Sequence, residues 1–126
     1  MNRLFWVCVG GAAGTAARYG IALWAAGRFG PALPVGTAIV NLAGCFAIAL
    51  VVSVAIGSDW PETLRLALTV GFLGGFTTYS SFNHEASRLL LEGTPSKAAL
   101  YSAVTIGGGL VAGWLGLACG RALGGR

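Results

Sequence analysis

Residues 71–82 read GFLGGFTTYSSF. Thr77, Thr78, Tyr79, Ser80 and Ser81 place five hydroxyls in a row just after Gly74-Gly75, with only Phe76 between. Such a run makes a poor continuous helix: glycine costs backbone entropy, and short hydroxyl side chains compete for backbone partners. In lipid, backbone freed by a break is tolerated only where protein or a water-filled path satisfies it. Freed carbonyls can hold a cation, and freed N–H groups and hydroxyls can hold an anion. Transport proteins build ion sites from helices broken near the membrane midplane. The plainer alternative is that each hydroxyl bonds back to a carbonyl one turn earlier and merely kinks the helix.

Few other polar side chains interrupt the apolar stretches. Asn41 is the lone amide in its segment, and its NH₂ either glues two helices together or donates to an anion. Arg18 lies well inside the first segment, where a charge is costly unless paired or near water. It would snorkel, cap a neighbouring helix end or draw anions to a vestibule. Glu85 is its intramembrane partner unless Glu85 sits at an interface. Tyr101 and Thr105 share a helix face at i, i+4, with Ser102 on the adjacent one. His84 has no cysteine or carboxylate at metal spacing except its neighbour Glu85, and no phosphate loop or paired acid suggests an enzyme. What remains is a set of neutral donors, which suits a small anion moving passively.

These residues need helices to position them, and composition points to a membrane. The chain has 126 residues, 56% hydrophobic and 10% charged, against roughly 25% charge in soluble domains. The length allows one domain, residues 1–126, of four helices at about 4–26, 35–56, 64–91 and 97–121, the third broken near its middle. Spans need about 20 apolar residues, so the third must run through the polar stretch. Links fall at Arg28–Pro34, at Gly57–Pro61 with Ser58 or Asp59 as helix cap, and at Glu92–Ser96. Trp6, Trp24 and Trp60 suit membrane interfaces. Cys8, Cys45 and Cys119 lie in apolar stretches and read as small hydrophobes. The net charge of +4 comes from scattered arginines and one lysine, with no basic patch for nucleic acid. Gly10-Gly11 interrupts the first apolar stretch early and three more spans follow, so a cleaved signal peptide is not expected.

Charge gives almost no orientation bias. The side holding the termini carries Arg3, Arg65, Arg121 and Arg126; the other carries Arg28, Arg88 and Lys97. Under the positive-inside rule such a protein either inserts both ways up, permitting an antiparallel homodimer, or is fixed by a weak bias. Small-xxx-small pairs at Gly10/Gly14, Gly71/Gly75, Gly109/Gly113 and Gly116/Gly120 are expected to support a tightly packed oligomer.

The pattern resembles the Fluc (CrcB) fluoride channels over nearly the whole chain. The resemblance rests on Gly10-Gly11-Ala12-Ala13-Gly14 with Ala17-Arg18-Tyr19, on Gly36-Thr37 and Val40-Asn41-Leu42-Ala43-Gly44, and on GFLGGFTTYSSF. It implies an all-α integral membrane protein, multi-pass in the cell (inner or plasma) membrane, forming a dual-topology antiparallel homodimer. It implies fluoride as the permeant ion and a structural sodium ion at the dimer centre, held by the carbonyls of Gly74 and Thr77 from both copies. Asn41, Tyr79, Ser81, Phe82, Tyr101 and Thr105 would line the fluoride pathway, with Arg18 near its entrance. Phe82 would offer the electropositive edge of its ring. Tyr79 stands where the family has a phenylalanine, Ser81 where it has threonine, and Gly109 where it often has serine. The implied role is passive export of toxic cytoplasmic fluoride. A proton-coupled four-helix exporter would instead want a membrane carboxylate early in the chain and would lose activity in Glu85→Gln. A non-conducting partner subunit would form folded dimers that pass no ion.

Overall fold

The structure, a computed structural model, describes residues 2–124; Arg126, counted above with the termini, lies outside the described residues. Most of those residues are helical, with no strand among them. In chain order the elements are α1 (Asn2–Phe29), α2 (Val35–Ile56), α3 (Glu62–Leu66), a widened π-helical stretch (Ala67–Leu73), α4 (Gly74–Phe76), α5 (Tyr79–Leu91) and α6 (Pro95–Gly124). The elements from α3 to α5 make one bent span, so the architecture is four helical rods. α2 and α6 are each long and apolar enough to cross a membrane, and few of their residues are fully buried. On α1, Trp6 and Trp24 are both exposed. Eighteen helical residues separate them by roughly 27 Å, close to a bilayer's apolar thickness of about 30 Å.

The turns follow local chemistry. Gly30 and Gly93 take positive φ (77° and 72°) in the first and last links, where a side chain would be strained. Pro95 opens α6, where its missing N–H costs nothing. The expected Ser58 or Asp59 cap is not found. α3 starts at Glu62, so Pro61 occupies the capping position without a side-chain bond. Ser58 instead closes α2, its hydroxyl donating to the Val54 carbonyl at 2.7 Å. Helix start decides this, because a cap must directly precede the first turn.

Several glycines of these stripes pack helix against helix within the chain. A Cβ on Gly14 would collide with the Phe72 carbonyl and the Phe76 nitrogen, and one on Gly75 would collide with the Gly11 carbonyl. α1 and the bent span therefore meet backbone to backbone. Gly116 and Gly120 do the same for α6 against Phe46, Leu50 and Ser53 of α2. Phe82, Leu89, Ala98 and Tyr101 form the buried cluster that fastens α5 to α6.

Candidate functional site

Helical geometry is lost at two residues. Thr77 (φ −84°, ψ 155°) and Thr78 (φ −153°, ψ 115°) are extended. Thr78 is the N-cap of α5: its Oγ1 accepts the Ser81 N–H at 3.2 Å. It also donates to the Ser81 Oγ at 3.1 Å and lies 3.2 Å from the Ser80 Oγ. Thr77 takes the plainer course and donates back to the Leu73 carbonyl at 2.9 Å. One threonine therefore back-bonds before the break, as the plainer alternative had it, and the next caps the helix after it, a role the sequence reading did not assign.

Asn41 holds the break open from α2. Its Oδ1 accepts the Thr78 N–H at 2.8 Å, and its Nδ2 donates to the Thr78 carbonyl at 3.0 Å. The side-chain amide thus stands in for one residue of a β-ladder, and the paired bonds fix which way it points. Gly44, one turn along α2, makes the approach possible, because a Cβ there would fall on the Thr77 methyl. One Nδ2 hydrogen is left over, since an amide carries two.

Diverting these donors frees particular carbonyls. The Thr78 N–H would otherwise bond the Gly74 carbonyl one turn back, and the Ser81 N–H the Thr77 carbonyl. Gly74 and Thr77 are the two residues whose carbonyls the resemblance offers to sodium. The Gly75 carbonyl is claimed from α1, by Arg18 Nε at 3.1 Å and the Thr15 hydroxyl at 3.4 Å. Arg18 therefore caps the broken helix, one of the roles open to it in the sequence, and does not pair with Glu85. Glu85 is satisfied elsewhere, accepting from the Thr37 hydroxyl at 2.9 Å and the Tyr101 hydroxyl at 2.7 Å. Neutral donors and acceptors on the adjacent helices meet both charges separately.

A cavity of about 390 Å³ opens between α2, the start of α5 and α6, lined by Asn41, Thr77, Thr78, Tyr79, Phe82 and Thr105 among others. Tyr79 is 77% exposed on the single chain, with its ring 5.8 Å from that of Phe82. Phe82 is buried and packs 5.4 Å from Tyr101, which lies beyond the cavity wall. Ser81 is spent in the capping cluster and does not line the cavity. Thr105 is 8% exposed, and its Oγ1 is buried with no hydrogen-bond partner. A larger groove between α2 and α6, lined by Ile48, Val52, Leu110 and Trp114 among others, holds only apolar residues.

Sequence reasoning did not bring Thr37, Glu85 and Tyr101 together. A signal was present: Phe82, Glu85 and Leu89 fall at i, i+3 and i+7, so the carboxylate shares the buried face of α5.

Profile comparison matches residues 5–117 to the CrcB-like proteins, described as Camphor Resistance (CrcB). This chain belongs to that family. Among CrcB relatives, a Sorangium cellulosum protein named "Fluoride-specific ion channel FluC" is 44% identical over 124 residues, 98% of each chain. A Chloroflexus aurantiacus protein of the same name is 44% identical over 126 residues, covering 99% of this chain and 100% of the relative. An Anaeromyxobacter protein of that name is 47% identical over 113 residues, 89% and 90% of the two chains.

Proposed function

We propose that this CrcB-family chain is a fluoride channel of the cell membrane rather than an enzyme. The observation that carries the reading is similarity over almost the whole chain to relatives named fluoride-specific ion channels. The site's chemistry agrees. Fluoride is strongly hydrated, so a path must replace its water shell with donors, as cation filters do with carbonyls. The cavity offers the spare Asn41 N–H, the unpartnered Thr105 hydroxyl and the edges of the Tyr79 and Phe82 rings. A ring edge is electropositive and takes an anion without holding it as tightly as a fixed charge would. Net movement is passive, outward under a negative-inside potential.

The functional unit in this reading is an antiparallel homodimer with four spans in each copy. The two donor-stripped carbonyls fit half of a hard-cation site, since oxygen ligands suit such ions. Gly74 is exposed on the single chain, so a second copy can bring its own Gly74 and Thr77 to the same point. A sodium ion held there would supply fixed positive charge and join the copies. Residues of this chain do the rest: Asn41 and Arg18 keep the backbone open, and the Thr105 hydroxyl and the Tyr79 and Phe82 rings face the anion.

The test is fluoride efflux from liposomes holding the purified protein, with chloride loaded alongside. Rapid fluoride release without chloride, lost in Asn41→Asp, is the expected result. Well-folded dimers that release no fluoride would overturn the homodimeric channel and direct attention to a second subunit.

A further inference from the structure

The cavity wall contains a group that the proposed pathway leaves unused. On α2, Asn41 and Cys45 are one turn apart; on α6, Tyr101, Thr105 and Gly109 are successive turns of one face. These faces oppose each other across the cavity that Asn41, Cys45, Thr105 and Gly109 all line. Gly109 has no side chain to offer, and the Cys45 Sγ lies 3.3 Å from where its Cβ would be. The thiol is half-buried, whereas Cys8 and Cys119 are exposed on the apolar surface. The independent sign that this wall takes a ligand is Thr105, nine-tenths buried, whose hydroxyl has no protein partner. A buried hydroxyl left empty is costly unless something in the cavity meets it.

We infer that Cys45 is a lining residue of the ion chamber, continuing the polar wall past Thr105 where Gly109 leaves it bare, and a site at which water-borne thiol reagents close the channel. The inference rests on the proposed channel function. A thiol is a weak donor, so the unmodified Cys45 offers an anion one further soft contact. An anionic thiosulfonate converts that contact into a barrier. The Cys45 thiolate attacks the sulfenyl sulfur of sulfonatoethyl methanethiosulfonate. A mixed disulfide forms, the reagent's S–S bond breaks, methanesulfinate leaves with the electron pair, and the thiol proton goes to water. The product fixes a sulfonate in the chamber, where its negative charge within a few ångströms of the path repels fluoride and its bulk narrows the way.

The experiment uses full-length protein carrying Cys8→Ala and Cys119→Ala in liposomes, treated with the reagent, which does not cross lipid. Mass spectrometry reads labelling and a fluoride electrode reads efflux. Cys45 should gain one adduct, and fluoride efflux should fall by about tenfold or more. Adding Cys45→Ala should abolish both changes relative to that variant's own untreated rate. Absence of the adduct overturns the inference, because a chamber-lining thiol must be reachable from water. A complete adduct with efflux unchanged also overturns it. If the untreated protein releases no fluoride, the channel reading fails, and labelling alone decides the rest. An adduct on folded protein then supports Cys45 as lining a water-filled chamber, and none refutes it.

Discussion

Replacing Asn41 with leucine tests the claim that one amide holds the helix break. Leucine is close to asparagine in size but makes neither of the 2.8 and 3.0 Å bonds to Thr78. The variant strands a half-buried N–H and a carbonyl with no alternative partner on α2. An unsatisfied buried group costs about 1–3 kcal/mol, while interhelical bonds in membranes average roughly 0.6 kcal/mol because the unfolded state also finds partners. Two bonds between those limits give a loss of roughly 2–4 kcal/mol, or about 30- to 700-fold in the folding equilibrium. Reversible unfolding in mixed micelles measures the loss. Amide hydrogen exchange locates it: Thr78 should lose protection first, followed by Ser81 as the cap loosens. A loss under about 0.5 kcal/mol with Thr78 still protected would refute the assignment of Asn41 as the clasp, since membrane hydrogen bonds of this kind average more than that.

Four other substitutions should behave differently. Gly14→Val drives a side chain into the Phe72 carbonyl and should cost about 1–3 kcal/mol or more in the same unfolding assay. Gly20→Ala, with open space around the new methyl, should be neutral or stabilising by up to about 1 kcal/mol. Thr105→Val removes a hydroxyl that bonds nothing; stability should hold or rise, within about 1 kcal/mol, while liposome fluoride efflux slows. Arg3→Ala breaks a 2.7 Å ion pair with Glu62 whose side chains are 62% and 49% exposed. Thermal unfolding should register no more than about 1 kcal/mol, and less in high salt.

The sequence made the apolar rods and the interrupted third span legible, because segment length and a glycine pair before a hydroxyl run are local signals. It did not show which partner each polar group would take. Arg18 and Glu85 looked like a pair on charge alone, yet each finds neutral partners on the helix beside it. The spacing of Phe82, Glu85 and Leu89 marks the buried face of α5, but which groups of α2 and α6 meet that face is a packing outcome that no short motif encodes. Glycine spacing announced close contact but not whether the contact lay within one chain or between two. Ser81 and Thr78 look interchangeable in sequence; backbone geometry alone makes Thr78 the cap and Ser81 part of its cluster.

The clasp on the break comes wholly from within one polypeptide, and from its earlier part. Arg18, Thr15 and Asn41 all precede Thr77 in the chain. Domains emerge N-terminal parts first during synthesis, at about 5–20 residues per second. When the third segment leaves the ribosome, the groups that will grip it are already in place. In the antiparallel homodimer proposed above, each copy would then reach its mate preorganised, whichever way up it was inserted. Association need not supply the ordering entropy that a flexible half-site would demand. On that proposal, a pore assembled from two such halves would form between partners that meet by chance in the bilayer, long after each was made.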